Sequence, residues 1–294
     1  MFVNGCDCSL VIKTAHKEID IPYSDETIRE AVSILQEEAS IEGNGVCRGL
    51  RKVNGTTGCI VTPLTIGNVL LLLYLALGKA SNPVFVSGTR NVFQFRLDNV
   101  PAEDTEHFDV IQDRGDGING AGKCLYEGCR IQEFELRIMR RETLKLKLEI
   151  YGDHVPRVYP YLDNRIPELS AIERFSGDYV SYNINGQEYQ NIYGITLVSN
   201  KKSRTKTELW IKRALVHGVE LPAIIDEMII TAQLLRDRYE DRYYGTFQIT
   251  LKRLVLVSDE TEINAVDSVM GPVRYFINGG VSADVFNFGD EVIS

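Results

Sequence analysis

The sequence predicts a mainly β protein of the α+β kind, built as antiparallel barrel or sandwich domains with packed helices. Two observations carry this expectation. Phe134, Leu136 and Ile138 alternate with Glu133, Glu135 and Arg137, and Leu144, Leu146, Leu148 and Ile150 alternate with Lys145, Lys147 and Glu149. Two period-two runs joined at Arg140-Arg141-Glu142 describe a β-hairpin with one apolar face and one charged face. The second observation is that the plan recurs beyond a connector punctuated by Pro156, Pro160 and Pro167. The chain therefore divides into a first β domain at 1–155, with an N-terminal arm and helix, and a second of similar plan at 156–294. The halves do not align residue by residue, so duplication rests on architecture alone.

Along the first half, short alternating segments between Cys8 and Ile21 predict strands that stop at Pro22. Ser24-Asp25-Glu26 offers a cap and an acidic first turn. Ile28, Ala31, Val32 and Leu35 follow at helical spacing, which predicts an amphipathic helix over 25–38. Glycines at 43, 45, 49 and 55 predict a loop region, and residues 58–62 a short strand. Thr65 is placed to cap an apolar helix that runs to Leu77 and ends at Gly78. Phe93, Phe95 and Leu97 alternate with Gln94 and Arg96, as a half-buried strand requires. The Gly-, Asn- and Asp-rich stretch from Arg114 to Lys123 predicts a loop.

In the second half, a second hairpin is expected from about Tyr193 to Lys212, with Ile195, Leu197, Leu209 and Ile211 in its arms. Its tip, Asn200-Lys201-Lys202-Ser203-Arg204, is locally basic, which makes Lys201, Lys202 and Arg204 a candidate inter-subunit loop. Leu221, Ile224, Ile225, Met228, Ile229 and Ala232 trace one face of a helix. Phe247, Ile249 and Leu251 predict a strand whose phase shifts at Lys252-Arg253, as at a bulge. Val273, Tyr275 and Ile277 predict a last strand.

Composition narrows the function. The 294 residues are 44% hydrophobic and 25% charged, enough for a large core, and the net charge is −9. An acidic surface does not grip nucleic acid through its phosphates, because that affinity comes from Lys and Arg displacing counterions. Met1-Phe2-Val3-Asn4-Gly5 has neither a basic start nor a long apolar run, so no leader is expected. The most apolar run, Val69 to Leu77, is far shorter than the roughly 20 residues that cross a bilayer. Six cysteines and four histidines lack CxxC or other metal-ligand spacing, and free thiols are expected. Gly115 to Gly120 spells GxGxxG, but it leads into a strand and sits beside Asp113 and Asp116, which would repel a phosphate. Arg114-Gly115-Asp116 reads as a polar loop. Neither a GxSxG nucleophile nor a distinctive carboxylate pair is present, so no catalytic residue, metal or cofactor is expected.

Two stretches resemble the phage tail tube protein family. One is Thr62 to Gly78, a Pro-containing strand end followed by a Leu-rich helix that closes on Leu-Gly. The other is Leu125 to Gly152, where Tyr126-Glu127-Gly128-Cys129 leads into the charged-face hairpin. The resemblance implies a structural tail subunit that assembles into stacked hexameric or trimeric rings, in company with other tail proteins. It implies a place in the virion tail after assembly in host cytoplasm, no contact with membrane, and a lumen of about 40 Å through which DNA passes without specific binding. Glu133, Glu135, Arg137, Lys145, Lys147 and Glu149 would then form the charged side of the tube hairpin, and their charges balance. The alternative reading is a monomeric β-sandwich module that binds a glycan or peptide through Trp210 or Tyr243-Tyr244.

Overall fold

A computed structural model of the chain describes residues 9–15, 17–36, 49–82, 84–85, 92–113, 123–158, 173–201, 206–214, 220–237, 242–259 and 269–288. The fold is mainly antiparallel β, as the alternation predicts, with one α-helix among the described residues. The first strands are β1 (Ser9–Lys13), β2 (Glu18–Asp20), β3 (Asp25–Glu26), β4 (Arg29–Gln36) and β5 (Gly49–Pro63). Helix α1 (Val69–Leu77) leads directly into β6 (Gly78–Ala80), then β7 (Val84–Phe85), β8 (Val92–Asn99) and β9 (Phe108–Asp113). β10 (Lys123–Met139), β11 (Lys145–Gly152), β12 (Arg157–Val158), β13 (Val180–Ile184) and β14 (Gln187–Glu188) follow. The last described elements are β15 (Ile192–Asn200), β16 (Lys206–Ala214), β17 (Ile224–Asp237), β18 (Arg242–Asp259), β19 (Val269–Ile277) and β20 (Val281–Phe288).

Two expected helices are strands. Of the segment expected as a helix at 25–38, the described residues 25–36 instead carry β3 and β4, and β4 pairs antiparallel with β5 from Arg29↔Thr57 to Gln36↔Gly49. Thr27, Ile28, Val32 and Ile34 are β-branched and suit extended backbone, and sheet pairing outweighs the cap signal at Ser24. β5 is correspondingly longer than the predicted strand and takes in part of the glycine-rich stretch, from Gly49 onward. The segment expected as a helix at 221–232 is strand from Ile224 onward, the start of β17, which is held between β13 and β18. The Gly-rich loop at Arg114–Lys123 lies outside the described residues except for Lys123, which opens β10.

The one helix forms for the expected reason. Every α1 residue except Tyr74 is buried, so the helix is apolar all round and packs as core against β6, β8 and β20. It starts four residues later than Thr65. Asn68 shapes the approach: its Oδ1 accepts from the Thr65 N–H at 2.8 Å and its Nδ2 donates to the Pro63 carbonyl at 3.0 Å.

The chain forms two compact units, each gathered from separate stretches. The first comprises Met1–Ile60, His107–Arg130 and Glu149–Pro167. Within it β2, β1, β9 and the start of β10 lie side by side, with Leu10, Ile12, Phe108 and Val110 facing inward. The second comprises Val61–Glu106, Ile131–Leu148 and Glu168–Ser294. Its architecture turns on β18. One edge of β18 carries β17 from Ile224↔Val255 to Asp237↔Arg242. The other edge pairs with β20 over 245–251 and with β19 over 254–259. From there one branch continues through β20 to β8, and the other through β19, β16 and β15 to β10.

The changeover falls at Lys252-Arg253, where the sequence predicts a bulge. The phase shift is present and Arg253 has φ 54°, but the register against β17 runs through it unbroken. Both strands instead switch faces together: the inward set passes from Met228, Ile230 and Ala232 to Ile225 on β17, and from Ile249 and Leu251 to Leu254 on β18. That switch puts Ile225 and Met228 three residues apart, which is why β17 imitates a helix in sequence. The turn between β19 and β20 fills the gap, with Gly279 N–H donating to the Lys252 carbonyl at 2.8 Å. A Cβ on Gly279 would lie 2.6 Å from that oxygen. Gly279→Ala is expected to lower stability by roughly 1–3 kcal/mol in urea unfolding, since backbone on both sides has no room to yield.

Candidate functional site

The expected hairpin residues divide by face as their spacing predicts. Phe134, Leu136, Ile138, Leu144, Leu146, Leu148 and Ile150 are all sealed, none more than 2% exposed. Of the charged set, Arg137 and Lys145 are exposed, and Glu133, Glu135, Lys147 and Glu149 are half-buried. Glu133 accepts from Asn200 Nδ2 at 2.9 Å, across the β10–β15 pair.

That charged side belongs to a wider surface. The β15–β16 hairpin expected at 193–212 is present, with Ile195↔Ile211 and Leu197↔Leu209 paired and inward. On its opposite face Trp210 stands beside Arg274 of β19. Arg274 makes two hydrogen bonds to Glu208, at 3.0 and 2.6 Å, and its guanidinium lies 5.0 Å from the Trp210 ring centre and 5.4 Å from that of Phe276. The two carboxylate bonds hold the cation still while both rings receive its charge. Trp210 is legible in sequence as an outward aromatic. Its union with Arg274 is not, because 64 residues separate them and only strand register joins them. The side chains of Tyr243 and Tyr244 lie outside the described set.

Lys201 departs from expectation. It is 5% exposed instead of forming a basic tip, while Lys202 and Arg204 lie outside the described residues. Its backbone N–H donates to the Gln132 carbonyl at 2.7 Å. Its amine donates to the carbonyls of Leu77 at 3.3 Å and Leu75 at 3.5 Å, the last turn of α1. Those carbonyls have no partner within the helix, and the helix end favours a cation there. Burial nevertheless pushes the amine down to about 7, because withdrawal from water penalises its charged form.

In the first unit, the predicted Gly-Cys lead-in to the hairpin forms a bulge in β10 against β9, between Tyr126 and Cys129. Gly128 takes φ 63°, and its N–H donates to Asp109 Oδ1 at 2.9 Å. The bulge turns the Cys129 thiol inward, where burial and the nearby Asp109 carboxylate push it up to about 12. Such a thiol is a small core group and a poor nucleophile. Tyr126 donates to Gln112 Oε1 at 3.0 Å, and Gln112 in turn donates to Glu26. Tyr126 and Cys124 also line an open cleft of about 740 Å³ with Arg29, Glu30 and Arg157. Among the described residues no group of three or more His, Cys, Asp or Glu is placed to hold a metal ion. Cys6 and Cys8 lie outside them.

Two measurements check these assignments. The folded state binds fewer protons at Lys201 than the unfolded chain between about pH 7 and pH 10.5, so its contribution to stability rises with pH across that window. Each pH unit there adds about 1.4 kcal/mol, and Lys201→Met is expected to remove that slope from unfolding curves taken at pH 7 to 10. Thiol labelling of the native protein at pH 8 is expected to leave Cys129 unmodified until denaturant is added, while the half-buried Cys59 and Cys124 react first.

Compared with known proteins, the chain matches no protein-family model and no curated protein.

Proposed function

We propose that the chain is a structural subunit of the tail-tube kind, which assembles with copies of itself into stacked rings around a hollow conduit. The observation that supports this reading is the two-sided sheet of β10, β15, β16 and β19. Its inner side is closed by residues such as Leu136, Leu197, Leu209 and Tyr275, none more than 1% exposed. Its outer side carries charges and aromatics that stay in contact with water. A sheet of this kind has its core on one side only, and its other side is free to face a lumen or a neighbouring copy. In the ring reading, six single domains or three duplicated chains close one cylinder, DNA slides through without specific binding, and other tail proteins cap the ends. The working place is the virion tail, with assembly in host cytoplasm. The six charged residues of the hairpin sum to zero, so an acidic lumen would need carboxylates from elsewhere in the chain.

A second reading is favoured by the Arg274–Trp210–Phe276 platform. A cation locked between two rings on an open sheet face suits a β-sandwich module that binds a glycan or peptide as a monomer. Negative-stain microscopy and sedimentation over a concentration series separate the two. Rings or tubes are the expected result. A chain that stays monomeric at every concentration, and binds a glycan or peptide through a surface that Trp210→Ala abolishes, replaces the tube by the binding module.

A further inference from the structure

The outer side of the β17–β18–β19–β16–β15–β10 sheet has an ordered pattern. Register places Glu135, Val198, Glu208, Phe276, Val255 and Ile224 in one row across the strands. The neighbouring row runs Arg137, Thr196, Trp210, Arg274 and Ser258. On the β10 side, then, one row begins with a carboxylate and the other with a guanidinium. On the β17–β18 side Ile224, Val255 and Val257 are 63%, 41% and 42% exposed and bring apolar surface to that end of the face.

We propose that two copies of the chain meet on this face, related by a two-fold axis that crosses the strands midway between the two rows. Rotation about that axis lays each row over the other row of the partner copy. Glu135 then faces Arg137 and Phe276 faces Arg274, and symmetry makes each contact twice. The first is an ion pair and the second places a ring over a cation. Val198 meets the methyl of Thr196, and the exposed valines and Ile224 lose water at one end of the face. Copies that each carry a net charge of −9 repel at long range, so they associate where local charges are opposite. Arg137 has an intramolecular partner in Glu142 at 3.4 Å, but both are about half exposed and such a pair holds its cation weakly. Five strand spacings and about seven residues of length give a face on the order of 500 Å², at the small end of specific interfaces. Pairing is therefore concentration-dependent. It does not rest on the ring reading.

Sedimentation velocity of the full chain over a concentration series tests the contact. Glu135→Arg or Arg137→Glu alone sets like charges opposite each other twice, and each is expected to weaken self-association by at least about tenfold. The double variant exchanges the two signs and is expected to restore it. Val255→Asp, which leaves both charges in place, is expected to abolish pairing, and circular dichroism checks that each variant is folded. Wild-type chain that stays monomeric overturns the proposal. So does association that single variants leave unchanged, or that the exchanged pair fails to recover. Rings seen by microscopy for wild type and single variants alike would leave the tube reading standing and remove this face from it.

Discussion

A β-strand has two edges, and β18 serves three long neighbours with them. That constraint organises the second unit. β17 takes one edge entire, so β19 and β20 must share the other end to end, and a sheet that is single at β17–β18 becomes double beyond them. The sharing requires a break at Lys252-Arg253, which is why Arg253 adopts a positive φ and why glycine is needed where the β19–β20 turn crowds the strand. It also requires support on β17, where the backbone N–H groups of Asp226 and Glu227 both donate to Asn185 Oδ1, at 2.9 and 3.1 Å. Helix α1 lies against β8 and β20, on one of the two branches. Once the break is fixed, the inward and outward residues of every later strand follow from register.

How much of this could be read beforehand depends on how local each interaction is. The 134–150 alternation is self-contained: each strand has one face sealed, and period two survives in sequence without distortion. The same holds for Ile195 to Ile211. The two misread segments fail for different reasons. At 25–38 the cap residues and the spacing of Ile28, Ala31 and Val32 are real helix signals, outweighed by a partner strand that begins thirteen residues later. At 221–232 the strand changes face midway, and a strand that does so puts apolar residues three apart. The change is imposed by β19 and β20, which lie beyond residue 268, so nothing within β17 itself announces it.

The outer surface was half legible for the same reason. Glu133, Glu135 and Arg137 declare a charged face because they alternate with Phe134 and Leu136. The rows that they begin are invisible in a linear string, since Arg137, Thr196, Trp210 and Arg274 come from four strands. Lys201 illustrates the opposite error. Its neighbours Lys202 and Arg204 make the segment look like a solvated basic tip, and burial of one of these amines against a helix end is decided wholly by packing.

The Lys201 contact also bears on how the chain is made. The carbonyls that it reaches lie 126 and 124 residues earlier, and β20, which also covers α1, comes after residue 280. A helix of nine apolar or aromatic residues therefore leaves the ribosome long before either cover exists. Until then only β6 and β8 are at hand to cover it, and a partly uncovered apolar segment of that length is what holdase chaperones bind and what nascent chains aggregate through. Yield in a heterologous host should then be governed less by the finished protein's stability than by how well α1 is shielded while the nearly three-quarters of the polypeptide that follows it is still being synthesised.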